Sequence, residues 1–336
     1  MRKIVVVGII CVVVLSAIIA TSTFMWIESN RPIARDENAN INFTRMATST
    51  GSYIYHGRIE SSNGLNLENT LNEGIYNITL YTTKNDVLWI AQKFGINGTI
   101  TPSTDGWCVE DPATHARITV INTTVKDYGI GLRYFKTMSG DPVQEEKFVS
   151  DEGAVTSAYG FVNATVFPLL SHARSHLTVQ HAFTGEDYMV DGGTKYITAK
   201  VIGFSMRYDG LELESARITI RVDWQGAILT CDAPADFSLS LHHTLSPVCK
   251  VKNVLAFYQA NGIPVQKNPA NITKVTITDV SVRYSFVPAT APIPSVTAIG
   301  APLIVTKYSV QYSDGQIENG MDTIVRTSIV SAFGGG

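Results

Sequence analysis

His172 and His176 stand four positions apart, with His181 following, in Ser171-His172-Ala173-Arg174-Ser175-His176-Leu177. On a helix this spacing puts two imidazoles on one face, where they can hold one metal ion. On a strand the same pair lies about 13 Å apart, too far for one ion. Leu177-Thr178-Val179-Gln180 reads as a strand, which disfavours chelation. His242 and His243, adjacent on a strand, point to opposite faces. Clustered carboxylates in turns are the minimum for calcium, which takes six to eight oxygens. Glu186, Asp187 and Asp191 in one turn region and Asp314 and Glu318 in another are the calcium candidates, without EF-hand spacing. The competing reading is plain turn chemistry, which favours Asp, Asn and Gly. Calcium is the one cofactor the sequence suggests.

Asp105-Gly106-Trp107-Cys108-Val109-Glu110-Asp111 mixes a thiol with carboxylates. A nucleophilic Cys108 needs a neighbouring base, and none is adjacent, so a buried structural cysteine is the favoured reading. No Gly-x-Ser-x-Gly, His-Glu-x-x-His, Walker loop or dinucleotide fingerprint is present. The sequence thus points away from an enzyme. A nucleophile–base set or a paired-carboxylate glycosidase assembled from distant strands stays open. Cys231 and Cys249 flank a proline-containing loop, and a disulfide between them would contribute on the order of 3 kcal/mol. Asn42, Asn77, Asn97, Asn122, Asn163 and Asn271 each precede Thr by two positions. Six such sites among 18 asparagines exceed chance and read as N-glycosylation acceptors on an exported chain.

These residues must be carried past a membrane-seeking start. Met1-Arg2-Lys3 is followed by 24 uncharged residues, Ile4 to Ile27. As a helix rising about 1.5 Å per residue they would span about 36 Å, enough for a hydrocarbon core of about 30 Å. Arg2 and Lys3 place the N-terminus on the cytoplasmic side and the remainder outside. An uncleaved anchor and a secretory signal peptide with a small-residue site at Ala20-Thr21-Ser22 are equally open. The hydrophobic leader, then Thr23-Phe24-Met25-Trp26-Ile27-Glu28-Ser29, then Thr-rich β sequence with sequons, resembles exported β-sandwich subunits of archaeal cell-surface filaments and sheaths, the TasA-like biofilm fibres among them. The leader lacks the processing site and early Glu of type IV pilins. The resemblance carries over no functional residue.

Beyond a polar stalk at 28–52, period-two alternation dominates. Strands are expected at Gly74–Thr83, Arg117–Val125, Tyr196–Tyr208, Ala216–Trp224, Phe237–Leu241, Val248–Tyr258, Thr273–Phe286, Leu303–Tyr312 and Thr323–Val330, with a short helix as the alternative over Val254–Asn261. The expected fold class is all-β: one or two antiparallel β-sandwich domains, jelly-roll or Ig-like, preceded by an N-terminal hydrophobic helix. The expected organisation is leader 1–27, stalk 28–52, first sandwich 53–140, second sandwich 150–287, a Pro-rich linker 288–302, and a C-terminal hairpin with Gly tail, 303–336. The hairpin behind its stiff spacer is a candidate strand donor to a neighbouring molecule, against the plainer reading that it packs on its own domain.

Composition narrows the function. The 34 Thr and 25 Ser outnumber 26 basic and 29 acidic residues, and net charge is −3. Without a basic stripe there is nothing to neutralise phosphates, which excludes a nucleic-acid partner. Few charges mean little desolvation cost at packing contacts. The expectation is a cell-surface or secreted structural or adhesive glycoprotein. Its partners would be the membrane through residues 4–27 unless cleaved, further copies of itself, and surface glycans. The alternatives are a polysaccharide-acting hydrolase and an exported ligand-binding module.

Overall fold

A computed structural model describes residues 41–46, 53–122, 129–137, 140–245, 247–293 and 296–329. The apolar run 4–27 and the stalk up to residue 40 lie outside the described residues. The chain divides into two compact units, one of residues 41–245 with 249–336 and one of residues 1–40 with 246–248. The first of these is described below.

It is mostly β. In chain order come β1 (Phe43–Arg45), β2 (Tyr53–Tyr55), β3 (Ile59–Ser61), β4 (Gly74–Leu80), α1 (Val87–Lys93), β5 (Ile100–Ser103), β6 (Gly106–Glu110), β7 (Arg117–Asn122), β8 (Gly129–Phe135) and β9 (Val143–Gln144). Then follow α2 (Asp151–Phe161), β10 (Leu177–Asp191), β11 (Thr194–Tyr208), β12 (Leu211–Val222), β13 (Ile228–Pro234), β14 (Phe237–Thr244), α3 (Val251–Asn261), β15 (Ile263–Val265), β16 (Ile272–Ile293), β17 (Val296–Tyr312) and β18 (Ile317–Arg326). The main path of pairing runs β1-β18-β17-β16-β12-β13-β8-β7-β6-β5. β11 joins it through β12 and carries β10, while β4 pairs both β14 and β17. Pairing is antiparallel except where β16 meets β12 and β3.

Two apolar cores result. In the first, Ile78, Ile118, Val120, Leu132, Ile202, Phe204, Ile218 and Phe237 meet a helical stripe of Ala154, Ala158, Val162 and Val166, all essentially sealed from solvent. The stripe repeats every fourth residue and continues past α2 through a π-helical turn, Val162–Val166, into a 3₁₀ turn at Phe167–Leu169 that takes Pro168 in its first turn. Ser150 caps the start of α2, its hydroxyl accepting from Gly153 N at 3.1 Å. The second core sets Val254 and Tyr258 of α3 against Val275, Ile277, Ile304, Val310 and Ile324. α3 stops at Gly262, whose φ of 72° no side-chain-bearing residue adopts easily. Each fully buried aliphatic side chain contributes about 1.5–3 kcal/mol relative to exposure.

Several expectations change. Strands from 53–140 pair with strands from 150–287 (β8 with β13, β4 with β14), so the two stretches share one hydrogen-bonded network rather than closing as separate sandwiches. Alternation tells which face a residue takes, not which distant strand lies beside it. Val248–Tyr258, expected as a strand, holds instead the start of α3, which is three residues longer at its N-terminus than the helical alternative. The expected Pro-rich linker is the distal half of the β16–β17 hairpin, where Pro302 pairs with Tyr284. Pro302 falls between the part of β17 that pairs β4 (Ala298–Gly300) and the part that pairs β18 (Ile304–Gln311), where no ladder donor is asked of it.

The C-terminal hairpin packs on its own chain. β17 lies between β16 and β18, and β18 also pairs β1. Arg326 of β18 reaches Glu73 at 2.5 Å, with both residues buried. Burial pushes the Glu73 carboxyl above its ordinary range, a shift the guanidinium beside it opposes. Removing one member of such a pair costs about 3–5 kcal/mol, because the other is left buried and uncompensated. Asp322 of β18 likewise accepts from Arg45 Nε at 2.9 Å.

Candidate functional site

Two features of the first unit offer chemistry or contact. One is a histidine–aspartate–tyrosine cluster around the start of β14; the other is the β10–β11 arm.

Tyr81 follows β4, and its N–H donates to the Asp236 carbonyl at 3.0 Å, while Asp236 N–H donates to Thr82 Oγ1 at 3.1 Å. This staple fixes Asp236 just before β14. Its carboxylate, 7 % exposed, accepts from Ser171 Oγ at 2.9 Å, from the backbone N–H groups of His172 and Ala173, and from His172 Nδ1 at 2.7 Å. A carboxylate accepts, so the proton of this bond sits on Nδ1, and Nε2 is turned away from Asp236. The ring, half-exposed, stacks on Tyr81 with centroids 3.6 Å apart and planes 9° from parallel. Tyr81 is held by its hydroxyl against Ser238 Oγ at 2.9 Å. A second set stands beside it. His176 Nδ1 meets both carboxylate oxygens of Asp209 at 3.0 Å, and its ring stacks on Tyr208 at 5.0 Å. Burial lifts the Tyr208 hydroxyl above the usual tyrosine range. Asp209-Gly210, with φ of 48° and 84°, is the tight turn joining β11 to β12.

This arrangement presents oriented imidazole nitrogens but not a complete hydrolytic set. Ser171 Oγ lies 3.4 Å from His172 Nδ1, the nitrogen already given to Asp236, whereas a serine nucleophile must address Nε2. His181 is apart from both, its Nε2 on Thr184 Oγ1 at 3.0 Å. Among the described residues no three His, Cys, Asp or Glu side chains converge as a metal site. His172 and His176 lie on a turn and a short 3₁₀ helix, and the strand expected over Leu177–Gln180 begins just after them as β10.

The arm is a long hairpin closed by Gly192-Gly193, with φ of 55° and 83°, the turn that matches strand twist. β10 pairs β11 on one side, and among the described residues no strand pairs its other side. Phe183 is 44 % exposed, Tyr188 60 %, Met189 47 % and Val190 62 %. The Phe183 ring sits against Gly203, where an added Cβ would strike it. Lys195 binds Glu186 at 2.5 Å and sits over the Tyr188 ring at 5.2 Å, and Arg221 Nε donates to Asp187 at 2.6 Å.

The calcium candidates therefore do not converge. Glu186 and Asp187 are ion-paired as above, Asp191 is exposed at the hairpin turn, Asp314 accepts from Gln316 N at 2.9 Å, and Glu318 meets Lys267 at 3.3 Å. The expected Cys231–Cys249 disulfide is absent: both cysteines are free, Cys231 on β13 in the first core and Cys249 before α3 in the second. Closeness along the chain set a loop size but not the Cα separation a bond needs. Cys108 is half-buried on β6 and also free. Of the sequon asparagines, Asn42, Asn97, Asn163 and Asn271 are exposed, while Asn77 and Asn122 are half-buried on strands β4 and β7. Sequence reasoning missed Tyr81, Tyr208, Asp209 and Asp236 as partners of the histidines; His172 and Asp236 are 64 positions apart, and no spacing rule joins them.

No family model and no curated protein matches the sequence. Among solved structures, an uncharacterized protein from Eubacterium rectale is similar at a TM-score of 0.39 and 11 % identity, over 79 % of this chain and 85 % of that one.

Proposed function

We propose that the chain is an exported structural or adhesive surface subunit, sandwich-like in build, that works by protein–protein contact through the β10–β11 arm. The observation that carries this reading is the arm itself: a strand with one side unpaired among the described residues, bearing Phe183, Tyr188, Met189 and Val190 in solvent. Unpaired strand edges with apolar side chains are templates for another chain, and folds without such a use blunt them. Export is supported by the apolar run 4–27 behind Arg2 and Lys3 and by four exposed sequon asparagines, and the leader's resemblance to TasA-like fibre subunits agrees. The free cysteines withdraw the support that a disulfide would have given. The arm replaces the C-terminal hairpin as the contact element, since that hairpin's strands already pair within the chain.

Sedimentation of the full-length protein in mild detergent tests this. The wild type is expected to associate as concentration rises. Met189→Lys with Val190→Lys is expected to weaken that association at least about tenfold at unchanged Tm, since both side chains are exposed and surface changes rarely move stability. A monomer at every concentration would contradict the proposal.

The hydrolase alternative has one observation in its favour, the Asp236-held, Tyr81-stacked His172 with Nε2 unclaimed by Asp236. Turnover of a polysaccharide panel that disappears in His172→Gln would favour it. Absence of turnover in the wild type would remove it.

A further inference from the structure

We propose that Asn97 is the residue of this chain that carries an N-linked glycan, and that the fold closes the other five sequons to modification. This rests on the export part of the reading above, since sequons are modified on exported chains, and it selects one acceptor where the sequence offers six.

The transfer needs an asparagine amide and, two positions on, a hydroxyl that one enzyme can reach together. The sugar C1 leaves the phosphate oxygen of a lipid-linked oligosaccharide and bonds Asn Nδ2. The amide gives up one proton. The lipid phosphate departs with the electron pair of the broken C–O bond and takes up a proton. A triplet whose backbone is tied into a ladder or helix, or whose hydroxyl is already bonded, must first be opened for this.

Asn97-Gly98-Thr99 needs no opening. It lies between α1 and β5, outside helix and ladder, and all three residues are exposed. Among the described residues no hydrogen bond engages the Asn97 side-chain amide or the Thr99 hydroxyl. The backbone beneath them is fixed. Gly98 runs so close to β6 that an added Cβ would stand 2.2 Å from the Glu110 carbonyl oxygen. Asn97 N–H joins Ala113 N–H and Thr114 N–H on the Asp111 carboxylate. Close approach therefore demands the glycine, and the two functional side chains on either side of it are left in solvent.

Each remaining sequon is closed by its surroundings. Asn77 is half-buried on β4, which is paired on both sides, with Ser240 opposite it on β14 and Ile299 on β17. Asn122 Oδ1 is buried, and its N–H donates to the Asp105 carbonyl at 2.8 Å. Asn163 and Thr165 share the π-helical turn Val162–Val166, where side chains two positions apart do not face one another. Thr273 Oγ1 donates to the Gln311 carbonyl at 3.0 Å, and Ile272, between it and Asn271, is buried. Asn42 is the nearest competitor, being exposed. Its carbonyl accepts from Thr327 N–H at 3.0 Å, and Thr44 Oγ1 pairs with Thr327 Oγ1 at 3.0 Å beside the β1–β18 ladder.

Glycopeptide mass spectrometry of the full chain, taken from the cells that make it, tests this. The expected result is a glycan on Asn97 at an occupancy at least about tenfold above any other sequon. Asn97→Gln and Thr99→Val are each expected to remove it at unchanged Tm, and Thr99→Ser to keep it, because both positions are exposed and the transfer reads the hydroxyl. Equal or greater occupancy at another sequon, or a bare Asn97, overturns the proposal. Digestion of intact cells with added protease separates this from the export reading. A bare Asn97 on a chain that the protease removes overturns the assignment and leaves export standing. Six bare sequons on a chain that the protease spares overturn both.

Discussion

Asp236 holds His172 through Nδ1, and burial silences two of the cysteines. Cys249 is sealed in the second core, where burial pushes its thiol up to about 12; burial lifts the Cys231 thiol as well. A thiol held so far above neutral pH carries almost no thiolate, which is the reactive form. In the native protein, an alkylating reagent is therefore expected to modify Cys108 well before the peptides holding Cys231 and Cys249. In denaturant without reductant, those two peptides are expected to gain one label each by mass. A disulfide-linked pair of peptides resistant to labelling would contradict the structure at these residues and add support for export.

At the scale of elements, what the sequence shows well is whatever repeats locally. Gly74–Leu80, Arg117–Asn122 and Thr194–Tyr208 begin and end within a few residues of the alternating runs that announce them, because a strand with one buried face must alternate. α3 ends where Gly262 says it should. α2 was hidden because its buried stripe is built from Ala154 and Ala158, side chains too small to stand out as an apolar period. β8 was hidden because Gly129 and Gly131 dilute it, and at Gly129 an added Cβ would strike Val120 of β7. The candidate site was the least legible part. Each half of the His172–Asp236 pair was an ordinary polar residue until the β4–β14 pairing brought residues 81, 172 and 236 together. The turn glycines 192 and 193 marked the tip of the arm, but nothing in the sequence revealed that β10 has no second strand neighbour among the described residues.

For the whole molecule, a low-charge, hydroxyl-rich composition and a last strand tied by Arg326–Glu73 and Arg45–Asp322 go with one strand, β10, left with an unpaired side among the described residues. On the proposed reading association depends on β10, and the amides along its open side would report on that directly. Amide hydrogen exchange of the full-length protein in mild detergent, followed for the peptide covering Gly185–Asp191 across a series of protein concentrations, tests the central claim. The account predicts exchange that slows as concentration rises, with peptides from β5 and from α2 unchanged. Exchange at Gly185–Asp191 that is the same at every concentration, in a sample that associates by sedimentation, would contradict it.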